Sequence, residues 1–424
     1  MNMQYSMLFR RNVLFTLIFC IASSIVSAQV PGFYMKKESR RIKIPFIDSN
    51  SLVIMPVSVN GGEAINFLFD TGVKSNIFFS KTIADELGME YTRKLNLVGA
   101  DGQTVLSASV SPNNHFDLGQ IEGIYQAALV LDEDFLELEK VIGIPIYGVI
   151  GHEFFKNNPV KIDYDNAEIS FYRTSALRWK PLGFRSMPME LIGNKPYINT
   201  TIRQIAGPEM TAKLLIDTGA NHGLLLNRET TEQIVLPPMT LETDLGRSLG
   251  GDLFGLVGRV RRIDIHGLKF RGVITSYPDQ TEFSDVIVET GRQGSLGAEL
   301  LNRIKIIFDY PRERLLLKKG AKFSDEFDYD MSGLMVRVSS AEDKRFYVSQ
   351  VRENSPADRQ GIQLFDEIIA INKVPAYFWE LADITKLFRS EEGRVITLDL
   401  LRGSGNEEEA PENLRITFVL KKQL

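Results

Sequence analysis

Two short stretches of the chain read Phe67-Leu68-Phe69-Asp70-Thr71-Gly72 and Leu214-Leu215-Ile216-Asp217-Thr218-Gly219, 147 residues apart. Each sets an aspartate at the end of an apolar run, where a carboxylate is costly unless it is hydrogen-bonded or at work. If folding brings Asp70 and Asp217 together, two carboxylates about 3 Å apart cannot both ionise, and one proton is shared. The ionised partner can then take a proton from water while the protonated partner gives one to a carbonyl oxygen. Direct hydrolysis of an amide needs that pair of transfers. Gly72 and Gly219 lack a Cβ, so the two loops can approach closely, and the hydroxyls of Thr71 and Thr218 can brace the opposite loop.

Elements must deliver these residues to one place, and a repeat in the chain suggests how. Gly148-Val149-Ile150-Gly151-His152-Glu153, ending in Ile162-Asp163-Tyr164, returns as Gly294-Ser295-Leu296-Gly297-Ala298-Glu299, ending in Phe308-Asp309-Tyr310, at an offset of 146 residues. Two landmarks that keep their separation over that distance argue for duplicated lobes, 40–180 and 181–322. Inside each lobe, short β-branched or aromatic runs are broken by Gly, Asn and Asp, which predicts mainly β structure. One short helix per lobe is expected, Lys81–Leu87 capped by Ser80 and closed by Gly88, and a segment capped by Asn227 through Ile234 before Pro237-Pro238. Val98–Gln103, with Gly99 and Gly102, and Ser248–Leu253, with Gly250 and Gly251, are hairpin turns that could act as flaps. The basic stretch Gln29–Lys43 reads as a lead-in strand.

On these residues the chain resembles the aspartic proteases of the pepsin and retroviral-protease type, whose pattern is apolar-apolar-Asp-Thr/Ser-Gly followed in the same lobe by apolar-apolar-Gly. The resemblance covers about 280 residues. It implies a two-lobed β-barrel fold with Asp70 and Asp217 as the catalytic pair. Thr71, Gly72, Thr218 and Gly219 then support the catalytic loops, with Gly151 and Gly297 on the strands threading behind them. No metal or cofactor is implied. The chain departs from the pattern at Ser295, and at Val73 and Ala220, where pepsin-like enzymes carry Ser or Thr. A tyrosine-bearing flap is not evident.

Composition narrows the chemistry. The 424 residues include one cysteine, Cys20, inside an apolar run from Val13 to Ile25 that follows Arg10-Arg11 and precedes Val26-Ser27-Ala28. That arrangement predicts a signal peptide over 1–28, cleaved before Gln29, and hence a secreted protein, periplasmic or at the cell surface, with no stable membrane span after cleavage. The remaining 396 residues hold no cysteine, which excludes disulfide scaffolds and thiol catalysis. They carry 47 basic against 54 acidic side chains and no basic block, a poor match to nucleic acid. They also exceed what one hydrophobic core serves, so at least two domains are expected.

Other spellings lack their context. Gly246-Arg247-Ser248-Leu249-Gly250 fits a nucleophile elbow, but β-like residues rather than a helix follow it. His152-Glu153 resembles the start of a zinc-protease helix, but position 156 is Lys156 rather than a second histidine. His222 follows Gly219 by three residues, and a surface turn is favoured over a place in the cleft.

After Lys322, Ser324–Asp330 is acidic and reads as a linker. Residues 331–424 then carry Ser355-Pro356-Ala357, Gly361-Ile362 and Asp366-Glu367-Ile368-Ile369-Ala370-Ile371-Asn372, which resemble a PDZ domain of bacterial exported proteases. Leu364-Phe365 stands where such domains usually have Pro-Gly. By this likeness Gly333, Leu334 and Met335 form the loop that holds a peptide's terminal carboxylate, and a helix near Leu381–Phe388 forms the other groove wall. The expected function is a secreted endopeptidase acting on protein or peptide substrates, with a C-terminal peptide ligand possible at the PDZ domain. The alternative is a catalytically silent protein that binds peptides through that domain.

Overall fold

The apolar runs leading into the two Asp-Thr-Gly turns are strands in the computed structural model, which describes residues 30–98, 105–248, 251–279, 290–403 and 410–424. The expected signal segment lies outside the described residues. Strand Ala64–Phe69 forms a hairpin with Leu52–Val59 and is flanked on its other side by the parallel strand Gly148–Ile150. In the second half, Glu209–Ile216 pairs with Lys195–Arg203 and with the parallel strand Gly294–Leu296 in the same way. Each Asp-bearing strand is thus central in its own sheet. That position explains why both runs are apolar on both faces up to the aspartate.

A six-stranded sheet joins the halves. Arg41–Pro45, Val160–Asp163 and Glu168–Tyr172 come from the first, and Arg185–Pro188, Ile304–Asp309 and Arg314–Lys319 from the second. The seam pairs Val160 with Phe308 and Ile162 with Ile306, all fully buried. The repeated Asp-Tyr landmark sits there. Asp163 accepts from Lys161 and Lys305, and Asp309 from Arg312 and Arg314. The main hydrophobic cluster runs through both halves, from Phe33 to Phe327, with a second around Leu52, Leu68 and Phe79 in the first. Residues 331–424 form a separate sheet around Val348, Ile371, Ile384, Ile396 and Leu398.

Several expectations are refined. The Ser80 hydroxyl caps the helix Lys81–Glu86 by accepting from the Ile83 N–H, and Gly88 closes it with φ +66°. In the second half the helix through Ile234 does not form. A single 3-10 turn, Arg228–Thr230, stands there, with no cap bond from the Asn227 side chain. The β-branched Thr230 turns its hydroxyl onto the Asn227 carbonyl at 2.7 Å, and Thr231 is already extended. The lead-in is two strands, Gly32–Met35 on the first sheet and Arg41–Pro45 on the joining sheet.

The acidic stretch 324–330 is a pinned strap rather than a free linker. Arg303 donates to the carbonyls of Asp325 and Glu326, Arg259 donates to that of Phe327, and the Phe327 ring is buried under the Arg303 guanidinium, 3.6 Å away. No helix among the described residues is long and apolar enough to cross a membrane.

Candidate active site

The strand ends bring the two Asp-Thr-Gly turns face to face. The Asp70 N–H donates to the Ile150 carbonyl at 3.0 Å and the Asp217 N–H to that of Leu296 at 2.9 Å, so each turn is hung on the strand behind it. Reciprocal bonds then lock the turns together. The Thr71 hydroxyl donates to the Ile216 carbonyl at 2.7 Å and the Thr218 hydroxyl to that of Phe69 at 3.0 Å. The backbone N–H of each threonine donates to the other's hydroxyl, at 3.1 and 3.2 Å. Both threonines are fully buried.

The glycines are needed by contact. A Cβ on Gly72 would lie 2.9 Å from the Asp217 carboxyl carbon, and one on Gly219 would overlap the Asp70 carboxyl. Their N–H groups instead donate to the nearer carboxylate, Gly72 to Asp70 at 2.6 Å and Gly219 to Asp217 at 3.0 Å. Gly151 and Gly297 pass behind, where a Cβ would strike the Val73 carbonyl and the His222 carbonyl respectively. The six supporting residues and both aspartates therefore meet at one point.

The two carboxyls lie close enough to act directly on one another. Burial first, and then the charge of Asp217, hold the Asp70 carboxyl well above its ordinary value. This is the electrostatic setting of a dyad that keeps one proton between two acids. The dyad lies on the floor of a cleft of about 400 Å³. The antiparallel hairpin Leu241–Ser248 with Gly251–Ile265 lines it through Leu245, Gly246 and Leu253, and the first half has a hairpin of its own, Arg93–Val98 with Val105–Asp117. Gly251 pairs with Ser248 in the hairpin that lines the cleft, while Gly99, Gly102 and Gly250 lie outside the described residues. Ser248 ends a hairpin strand, so the elbow spelling there has no elbow.

Two cleft residues, Lys195 and Arg292, escaped the sequence reading, and a third was weighed and placed elsewhere. His222 lines the cleft rather than a surface turn, with its Nε2 3.0 Å from the Ser295 hydroxyl, and burial pushes its pKa down. Lys195 opens the strand Lys195–Arg203 and faces the dyad, and Arg292 stands beside it. The clue to Lys195 is strand register. Ile54 pairs with Leu68 and Tyr197 with Leu215, so Leu52 and Lys195 are equivalent positions. In sequence the match is hidden, because Leu52 precedes Asp70 by 18 residues and Lys195 precedes Asp217 by 22.

In the C-terminal unit, Gly333, Leu334 and Met335 open the edge strand Leu334–Val338, as a carboxylate loop would. Two of the amides are already engaged. The Gly333 N–H donates to the Asp330 carboxylate at 2.7 Å and the Leu334 N–H to the Ser332 hydroxyl at 3.0 Å. Arg352 pairs with the same carboxylate.

Residues 55–154 match the aspartyl protease family and residues 347–402 the PDZ domain family. The protein therefore combines an aspartyl-protease region with a PDZ domain in a mainly β fold. Among solved structures, the chain is similar to the aspartic proteinase from Irpex lacteus, at 13% identity and TM-score 0.41, over 67% of this chain and 99% of that one. It is also similar to basic 7S globulin from soybean, at 12% identity and TM-score 0.39, over 69% and 100%. No curated protein matches the chain by sequence.

Proposed function

We propose that the protein is an exported aspartic endopeptidase in which Asp70 and Asp217 act as the catalytic pair. The observation that carries this reading is the face-to-face locking of the two Asp-Thr-Gly turns, which sets both carboxyls in the lining of one cleft. With one proton on the pair, the ionised carboxylate draws a proton from a water held between the two as its oxygen attacks the scissile carbonyl. The protonated partner donates to the carbonyl oxygen, giving a tetrahedral gem-diol. Proton return to the leaving nitrogen then breaks the C–N bond. The role of Thr71 and Thr218 is to hold the carboxyls at contact distance through the reaction, since their four bonds tie each loop to the other lobe's backbone.

The PDZ module would present protein substrate. A C-terminal peptide entering its groove must take over the Gly333 amide from Asp330.

The test is cleavage of a denatured protein mixture across pH by wild type, Asp70→Asn and Asp217→Asn. Wild type is expected to cleave and each variant to lose activity by at least about a hundredfold, the usual scale of a lost acid–base group. Equal cleavage by all three, or none by any at every pH, overturns the reading.

A further inference from the structure

The duplication lets the two walls of the cleft be compared position by position, using strand register. Val149 lies opposite Leu68 and Ser295 opposite Leu215, so Val149 and Ser295 are equivalent. The Phe79 N–H donates to the Tyr147 carbonyl and the Asn227 N–H to the Gln293 carbonyl, which makes Phe79 equivalent to Asn227 and Ile146 to Arg292. Leu52 is equivalent to Lys195, as shown above. At all four positions the first lobe is apolar. At the same four, the second lobe has Lys195, Asn227, Arg292 and Ser295, and each of these lines the cleft.

We propose that this second wall is a carboxylate subsite: preferred substrates carry an acidic group on the second lobe's side of the scissile bond, held by Lys195 and Arg292. The proposal rests on the endopeptidase reading and adds a substrate class to it.

Charge supports it first. Sharing one proton, the dyad carries a single negative charge, whereas Lys195 and Arg292 bring two positive ones. Among the described residues, the carboxylates acting on Lys195 are those of the dyad. Among the described residues that line the cleft, one positive charge is then left over, and a substrate carboxylate cancels it. Like charges side by side cost free energy in such a place unless an anion joins them.

Donor geometry supports it next. The Arg292 side chain lines the cleft beside Lys195 and acts on Tyr197, a buried residue of the same strand as Lys195. A guanidinium in the cleft lining presents a fork of donors that matches a carboxylate better than a neutral group. Asn227 and Ser295 extend the polar wall, and His222 leans onto the Ser295 hydroxyl. Facing them, Leu52, Leu68, Phe79 and Val149 suit an apolar side chain on the other side of the bond. The cleft therefore has a direction, and a peptide enters it one way round.

The carboxylate could belong to a Glu or Asp side chain or to a chain end, and the experiment separates these sources. End-blocked peptides differing only in Glu against Gln near the scissile bond are compared by kcat/KM, alongside peptides with a free C-terminal carboxylate. In wild type the Glu peptide, or the free-acid peptide, is expected to exceed its neutral twin by roughly tenfold or more, the scale of one charge-assisted contact. Arg292→Leu and Lys195→Met should each bring the ratio towards one, while Arg292→Lys keeps most of it. Because the ratio is taken within each variant, a general loss of turnover does not blur it.

A ratio near one in wild type, or a ratio unmoved by both variants, overturns the subsite. Binding of the same peptides to Asp70→Asn, read by fluorescence anisotropy, gives a second ratio that needs no turnover. A carboxylate preference there without cleavage by wild type sinks the endopeptidase reading and keeps the subsite. Cleavage without preference does the reverse.

Discussion

The surroundings of Asp70 favour its protonated form, and that costs stability as pH rises. Its carboxyl titrates above the ordinary value of 3.8 because burial and Asp217 disfavour its charge. The native state therefore binds this proton more tightly than the unfolded chain does. The stability linked to it is fully present below 3.8 and is lost as pH rises through the raised native value. Asp70→Asn keeps an acceptor for the Gly72 N–H and removes the charge. The variant is expected to have a higher thermal midpoint than wild type at neutral pH, with the gain vanishing below the carboxylate range. Calorimetry at several pH values checks this, and an unchanged midpoint at neutral pH contradicts it.

Phe365 makes a second case at this scale. It stands in the left-handed region at φ +67°, is 75% exposed, and occupies the place where Gly is usual in such domains. Phe365→Gly should stabilise the C-terminal unit by about 1 kcal/mol in urea unfolding of the full chain, less whatever its stacking on Tyr347 contributes. A destabilised variant would show that the stacking outweighs the strain.

At the scale of elements, what could be read from sequence depended on how local the cause was. The Asp-Thr-Gly turns, the Ser80 cap and the strand texture announce themselves within a few residues, and they are where the local pattern puts them. Lys195 and Arg292 do not, because their meaning comes from a cross-strand neighbour and from a four-residue difference between the two hairpins. His222 was misjudged for the same reason, since the Ser295 hydroxyl that draws it inward belongs to a strand 73 residues away. The acidic strap misled by composition. Its charges suggest a solvated linker, yet backbone carbonyls along it are taken by Arg259 and Arg303 and its Phe327 ring is buried. The strap also ends in Asp330, which stands at the Gly333 amide as a substrate carboxylate would. Asp330→Ala should strengthen binding of a fluorescent, mixed-sequence C-terminal peptide library by about tenfold, on the scale of one charged hydrogen bond. Weaker binding would mean that Asp330 shapes the loop rather than blocking it.

On the scale of the molecule, the joining sheet makes the two lobes one body, and the PDZ unit is fastened to both. Glu139 accepts from the Ala341 N–H, Asp244 pairs with Arg337, and the Thr243 hydroxyl reaches Gln350. At the far end of the chain, Leu424 packs on the protease core. Half-buried Glu299 lies among Arg303 and Arg259 of the second lobe and Arg389 of the PDZ unit, so a charge cluster bridges that junction as well.

The short helix Leu138–Ile142 lies at the centre of this contact. Leu138 and Ile142 line the apolar wall of the cleft, while the helix packs on the PDZ edge strand and Gly143 meets Leu381 of the groove helix. One turn of helix is thus a shared wall between two rooms. A peptide that pairs with the PDZ edge strand would therefore dock on an element whose other neighbour is this helix, one contact away from the cleft.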